Sequence, residues 1–219
     1  MIDDQILVRL VLIGIILIAV LPIHEFSHAL IAYRLGDGTA KLLGRLTLNP
    51  IVHFDPVGGT LLILTLLIPG SGFIFGWAKP TPVNPANLRG GRQSDALVAL
   101  AGPASNLVLA AAAAIPFRVM IATGVDASLP LAILFLFIQI NISLMIFNLI
   151  PLPPLDGSHI LLALVDPRTS WQLRNVLSQY GPMILLALIL IPSVTGLPSP
   201  LSIIFQVIAH PIISLLTGL

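Results

Sequence analysis

Long apolar stretches separated by short polar loops dominate the order of residues in this chain. A membrane-spanning helix needs about 20 apolar residues, and five stretches approach or exceed that length. They lie at residues 6–33, 95–117, 130–150, 181–197 and 201–216. The last two are short and punctuated by prolines, which predicts a helical hairpin over about residues 180–219. The pattern predicts an all-α polytopic membrane protein with about five to six transmembrane helices.

A further apolar stretch, residues 57–78, allows two interpretations. It carries no charge, which is compatible with crossing the bilayer, but glycines and a Pro-Gly-Ser-Gly sequence interrupt it. Three cations precede it and three follow it: Arg34, Lys41, Arg45, Lys79, Arg89 and Arg92. Positively charged loops stay in the cytoplasm, so both ends are expected on the cytoplasmic side. We therefore expect a re-entrant or interfacial segment after the first span.

Composition excludes several other classes of protein. The chain is 57% hydrophobic and 9% charged, whereas soluble domains are about 45–50% apolar and about 25% charged. A soluble globule would lack polar surface, and a disordered chain would need low hydrophobicity and high charge. The net charge of +1 offers no field for nucleic acid. Because there is no cysteine, any metal site must use histidine and carboxylate ligands.

The first apolar stretch contains the motif His-Glu-x-x-His at residues 24–28. On a helix, His24 and His28 share one face and can bind one zinc ion, while Glu25 is placed to act as general base. Glu25 is the only glutamate among nine acidic residues, and ionisable groups inside a membrane are costly. A hydrogen-bonded cluster that joins helices is the structural alternative, but a metal would satisfy these three groups better.

A catalytic zinc ion usually has three protein ligands, so one is missing from this motif. The candidates are His53, Asp55, Asp156, His159, Asp166 and His210. Asp156 follows a proline-rich end of a span and precedes an apolar run at residues 158–164. It could cap that run as a helix, which is a common use of aspartate, or bind the metal. If residues 57–78 do not cross, His28 and Asp156 lie on the same side and can share an ion.

These motifs together resemble the site-2 protease family of intramembrane zinc metalloproteases. The resemblance rests on residues 24–28 and on Leu-Asp-Gly at 155–157. The sequences at residues 49–58, 76–80 and 101–106 also resemble the short members of the family. Larger members add a PDZ or regulatory domain, and this chain shows neither. We expect a single integral-membrane domain over residues 1–219, with a catalytic core at about 6–165.

The resemblance implies roles for particular residues. His24, His28 and Asp156 match the family's metal ligands, Glu25 matches its catalytic glutamate, and Asn148 matches an asparagine that places the substrate strand. The implied cofactor is one Zn²⁺ per chain. Another divalent metal would also fit a site of two histidines and one carboxylate.

Three other residues are weaker candidates for the vicinity of the active site. His53 and Asp55 lie in a loop rich in proline and glycine, where side chains more often make turn hydrogen bonds. His159 lies one helical turn after Asp156 and could support it or lie at the membrane interface. The small residues Gly102, Ala104 and 110–114 suit close helix packing.

The sequence predicts a multi-pass cell-membrane zinc endopeptidase with its active site toward the cytoplasmic side. Its expected partners are membrane-protein substrates and the lipid bilayer, without nucleic acid. A helical substrate must unwind before attack, and extended substrate could add as a strand near residues 46–57 and 77–87. A membrane metal carrier and a non-catalytic scaffold of the same fold are the alternatives.

Overall fold

Five long helices dominate the computed structural model, which describes residues 4–67, 76–124 and 127–219. All regular elements in these ranges are helical. The helices that are long and apolar enough to cross a membrane are Val8–Arg34, Arg92–Thr123, Ser128–Asn148, Pro167–Pro192 and Pro200–Thr217. Each overlaps one of the five predicted stretches, which confirms an all-α polytopic fold.

Nine α-helices and one short 3₁₀ helix, Pro85–Asn87, are defined within the described residues. The α-helices are α1 (Asp4–Gly14, continued by Ile15–Val20 and Leu21–Arg34), α2 (Thr39–Leu42), α3 (Pro50–His53), α4 (Pro56–Leu67), α5 (Arg92–Thr123), α6 (Ser128–Asn148), α7 (Gly157–Leu164), α8 (Pro167–Thr195) and α9 (Pro200–Ile204, continued by Phe205–Ala209 and His210–Thr217). The first arm of the C-terminal hairpin, α8, begins earlier than residue 181. Asp166 starts it by accepting hydrogen bonds from the backbone N–H groups of Arg168 and Thr169.

Two of the membrane helices contain a π-helical stretch just before a proline. The stretch Ile15–Val20 precedes Pro22, and Phe205–Ala209 precedes Pro211. A proline has no N–H for the usual bond to the carbonyl four residues earlier, and its ring clashes with that carbonyl. The wider π turn accommodates both effects. In α1 this change occurs directly before the His-Glu-x-x-His motif.

The described part of residues 57–78 consists of one short helix and the chain from residue 76 onward. Helix α4 has 12 residues and a length of about 18 Å, which is too short to cross a bilayer. The residue before α4 and the chain that follows it are in contact, because the Lys79 N–H donates to the His53 carbonyl over 2.8 Å. The far end of α4 is bound by Arg9, whose side chain donates to the Leu66 carbonyl. The glycine-rich sequence at 70–72 lies outside the described residues.

The main core lies between α5, α6 and α9. Its buried members are Ala110, Ala114, Phe117, Ile138, Ile142, Met145, Ile146 and Ala209. The two alanines of α5 let the backbone of α6 approach closely, as small residues do in membrane proteins. Of the small residues predicted to pack closely, Ala110 and Ala114 are buried in this core, whereas Ala104 is exposed. In contrast, α8 exposes a row of large apolar side chains, as expected for contact with lipid.

Candidate metal centre

Helix α1 presents His24 and His28 side by side toward α5. The two side chains are buried, and their Nε2 atoms lie 3.1 Å apart. Asp156, at the start of α7, places its Oδ2 atom 3.3 Å from His24 Nε2 and 3.4 Å from His28 Nε2. This is the one group of three potential metal-binding side chains found in the part of the chain that the structure describes.

Helix α5 determines which nitrogen of each imidazole faces this cluster. His28 Nδ1 lies 2.7 Å from the Val98 carbonyl, and His24 Nδ1 lies 3.2 Å from Oδ1 of Asn106. Both partners are oxygen acceptors, so each Nδ1 carries the proton. The Nε2 atom of each neutral imidazole therefore offers a lone pair. Second bonds of this kind are what orient metal-binding histidines in proteins.

The three ligand atoms fit a zinc ion. Two imidazole nitrogens and one carboxylate oxygen converge, and such atoms repel one another unless a proton or a metal ion lies among them. Oδ2 of Asp156 is buried and accepts no hydrogen bond from the described residues. Zinc–ligand distances of about 2.0–2.1 Å in tetrahedral geometry separate ligand atoms by about 3.3 Å. The observed separations of 3.1, 3.3 and 3.4 Å match that value.

Gly102 leaves the space in which the two imidazoles lie. A Cβ atom at this position would come within 2.3 Å of His28 Nε2 and 2.6 Å of His24 Nε2. Val98, Gly102 and Asn106 recur every fourth residue, so they form one stripe on α5. In this stripe, the Val98 carbonyl contacts His28, the Asn106 amide contacts His24, and Gly102 leaves room for both rings.

Asp156 occupies the position before α7 but does not act as its cap. Its backbone is helical and its side chain makes no capping hydrogen bond. The carboxylate instead faces the two histidines. The following residue, Gly157, permits this arrangement, because a Cβ atom there would lie 2.2 Å from the Leu149 carbonyl. Of the two roles left open for Asp156, the geometry fits that of a ligand.

Glu25 is not one of the converging groups and has a partner of its own. The backbone N–H of Thr81 donates to Glu25 Oε2 over 2.9 Å. The Thr81 hydroxyl lies 2.8 Å from the same oxygen and 3.0 Å from the Glu25 carbonyl. The chain around Thr81 thus crosses α1 at the glutamate of the motif.

Comparison with known proteins establishes the family. A Bacillus subtilis protein named "Putative zinc metalloprotease YwhC" is 43% identical over 183 residues, which cover 81% of this chain and 80% of that protein. The chain belongs to peptidase family M50. The pattern of this family matches residues 116–191. M50 is the site-2 protease family, so the predicted family of zinc metalloproteases is confirmed.

More distant relatives are longer than this M50 chain. Proteins named "Putative zinc metalloprotease Rip2" from Mycolicibacterium smegmatis and Mycobacterium tuberculosis are each 32% identical, over 182 and 184 residues. The matches cover 79% and 80% of this chain but 64% and 65% of those proteins. No solved structure gives a significant match.

The weaker candidates His53 and Asp55 contribute no atom to the cluster formed by His24, His28 and Asp156. His53 is buried, and its Nε2 donates to the Thr47 carbonyl. Asp55 accepts hydrogen bonds from the N–H groups of Val57 and Gly58, so it caps α4 in the manner of a turn residue. His53 nevertheless accepts the hydrogen bond from the Lys79 N–H, and Asp55 follows two residues later in the chain. Lys79 lies two residues before Thr81.

The remaining predicted residues occupy the polar end of α5 and the end of α6. His159 Nδ1 donates to Asp95 Oδ2 over 3.0 Å, which joins α7 to α5 near Asp156. This hydrogen bond raises the pKa of His159 above its ordinary value, although burial opposes the shift. Asn148 donates to the Leu144 carbonyl within its own helix. His210 is exposed on α9 and is not part of the group formed by His24, His28 and Asp156.

Sequence reasoning missed three contributors to the M50 site. Thr81 and Asn106 contact Glu25 and His24, and Gly102 was interpreted only as a packing residue. Their contacts join residues 56 and 82 positions apart in the chain, which no local pattern reveals. Gly102 and Asn106 lie within residues 101–106, and Thr81 directly follows residues 76–80. Both of these sequences contribute to the family resemblance, and that resemblance was the available signal.

Removing the amide of Asn106 is expected to weaken zinc binding. The variant Asn106→Ala loses the acceptor for His24 Nδ1–H, which frees the ring to rotate or change tautomer. Losses of this kind typically reduce metal affinity by about 10- to 100-fold. Competition titration with a chromophoric chelator measures the change. Asn106→Asp keeps an acceptor and should retain most of the affinity, whereas unchanged affinity in Asn106→Ala would contradict the orienting role.

Proposed function

We propose that this chain is an intramembrane zinc endopeptidase that hydrolyses peptide bonds in or near transmembrane segments of membrane proteins. The observation that carries the proposal is the convergence of His24, His28 and Asp156 beside Glu25. The separations of their ligand atoms suit a tetrahedral zinc ion with one position left for water. Membership of family M50 supports the same activity.

Each residue has a defined task in the proposed reaction. His24, His28 and Asp156 would hold the zinc ion, which supplies a Lewis acid for water and for the scissile carbonyl. Glu25 takes a proton from the attacking water as general base and returns it to the leaving amine. Asn148, at the end of α6, is the proposed contact for the substrate backbone.

A groove lined by the chain on both sides of α4 is the proposed path of an unwound substrate. It has a volume of about 770 Å³ and lies between the two stretches predicted to receive an extended strand. Its lining residues are Leu43, Arg45, Ile51, Val52, Phe54, Asp55, Lys79, Pro80 and Pro82. Thr81, which contacts Glu25, lies between the lining residues Pro80 and Pro82 but is not itself part of the lining. An extended peptide in the groove would therefore run along the chain segment that contacts the general base.

The active site is proposed to face the cytoplasmic side of the cell membrane. The contact between Lys79 and His53 supports cytoplasmic positions for both ends of the re-entrant segment, together with the cations around it. In this topology α1, α5 and α6 cross in alternating directions. The meeting of His28 with Asp156 is compatible with that order.

Cleavage of defined membrane substrates tests both the reaction and the side of the membrane on which it takes place. The purified protein, reconstituted in vesicles, should cleave single-span proteins that carry glycine, proline or asparagine in the cytoplasmic half of the span, because such helices open at lower cost. Chelation should stop cleavage, and zinc should restore it. Mass spectrometry of the products should place the cut in the cytoplasmic half.

Other results would favour the alternatives. Zinc that exchanges rapidly and crosses the membrane with the protein would indicate a carrier. Tight zinc binding without cleavage of any substrate in the panel would favour a scaffold. A cut in the opposite half of the substrate span would contradict the proposed side of the active site.

A further inference from the structure

We infer that the backbone N–H of Thr81 is a positioning group that fixes the catalytic carboxylate of Glu25. The inference rests on the proposed function and adds a residue to it. The strap, defined as residues 79–83, crosses α1 at Glu25. Within it, Thr81 supplies the backbone and side-chain hydrogen bonds described for the glutamate.

The two donors of Thr81 differ in how firmly they hold Glu25. The hydroxyl has one proton and two acceptors within reach, Glu25 Oε2 at 2.8 Å and the Glu25 carbonyl at 3.0 Å. The backbone N–H has a single acceptor, Oε2, at 2.9 Å. A hydrogen bond to a charged acceptor is also among the stronger kinds. The N–H is therefore the principal clamp, and the hydroxyl supports it.

The backbone of the strap is rigid enough to hold the Glu25 carboxylate in a fixed position. Thr81 lies between Pro80 and Pro82, whose rings fix their own φ and also restrict the preceding residues to extended backbone. Upstream, Lys79 is bonded to the His53 carbonyl. Downstream, Asn84 N–H donates to the buried carboxylate of Asp37 over 2.7 Å. Anchors on both sides thus determine where the Thr81 N–H points.

The clamp leaves one carboxylate oxygen available for chemistry. Both hydrogen bonds from Thr81 to the Glu25 carboxylate are to Oε2, and Oε1 accepts no hydrogen bond from the residues that the structure describes. Fixing Oε2 restricts rotation of the carboxylate and so determines the direction of Oε1. Because a displacement of about 1 Å can cost about 100-fold in rate, the clamp should affect kcat rather than substrate binding.

Replacing one amide by an ester tests the clamp without changing a side chain. The α-hydroxy analogue of threonine, introduced at position 81 by nonsense suppression, removes only the N–H. We expect kcat for a cleaved substrate to fall about 10- to 100-fold, with KM and zinc content unchanged. The matched control is an ester at Ser199, which also lies between two prolines and whose N–H donates to no described residue, and it should retain the wild-type kcat. Thr81→Val keeps the N–H and should lose less activity than the ester at 81.

Hydrogen exchange supplies a test that does not depend on activity. In metal-free protein the Thr81 amide should exchange more slowly than the Ser199 amide, and Glu25→Ala should accelerate Thr81 exchange about 10-fold or more. Equal kcat for the two esters, or Thr81 exchange unaffected by Glu25→Ala, would overturn the inference. Absence of cleavage by the wild type with the exchange result intact would instead overturn the proposed function.

Discussion

Replacing Glu25 by glutamine is expected to abolish proteolysis while leaving the zinc content unchanged. Glutamine has the same size, and its side-chain oxygen can still accept the hydrogen bonds from Thr81. It cannot take a proton from water, so kcat should fall by about 10²- to 10⁴-fold. Glu25 is not one of the three converging groups, and the metal should remain. Cleavage of single-span substrates and zinc analysis of the same preparations measure both effects.

A ligand variant provides the contrast for this experiment. Asp156→Asn removes the carboxylate charge from the cluster and should lower both zinc content and cleavage. If Glu25→Gln cleaves as fast as the wild type, Glu25 is not the general base. If Glu25→Gln loses its zinc, the assignment of ligands to His24, His28 and Asp156 is incomplete. Wild-type protein that holds no metal would overturn the central proposal.

Adding one methyl group at Gly102 is expected to remove zinc from the site. The new Cβ in Gly102→Ala would lie 2.3 Å from His28 Nε2 and 2.6 Å from His24 Cε1. These atoms belong to rings that are held at Nδ1 by Val98 and Asn106, so they cannot move aside without losing those bonds. The effect should exceed the 10- to 100-fold typical of indirect partners, and we expect at least about 100-fold weaker zinc binding.

A glycine elsewhere in the membrane helices distinguishes this effect from general damage. A Cβ at Gly14 in α1 would meet no atom within 4 Å, so Gly14→Ala should keep both zinc and activity. Circular dichroism and membrane insertion should be the same for both variants. Wild-type zinc affinity in Gly102→Ala would show that the imidazoles do not lie where the structure places them.

Much of the fold could be predicted because membrane constraints are local. A span must satisfy its own backbone hydrogen bonds and be apolar over about 20 residues, and both requirements are visible along the chain. All five expected stretches overlap observed helices. The early start of α8 was not predicted, because residues 167–180 are amphipathic and mix Arg168, Arg174 and Trp171 with apolar residues.

The sequence by itself determined the first part of the candidate site. Spacing places His24 and His28 on one helical face with Glu25 between them, and the absence of cysteine restricts other ligands to histidine and carboxylate. It also assigned the family, since several short motifs occur together in the order that the family shows. These conclusions depend on neighbours within a few residues or on the order of motifs.

Only the tertiary structure decided which distant groups complete the site. Asp55 and Asp156 were both candidates, yet one caps α4 and the other faces the histidines. Likewise, Gly102 lies against the two imidazoles and Thr81 holds Glu25 because α5 and the strap pack on α1. A carboxylate or hydroxyl can satisfy its hydrogen bonds locally or across the fold, and the sequence shows only the local option. Whether the partner is local or distant is decided by the packing of helices that are far apart in the chain.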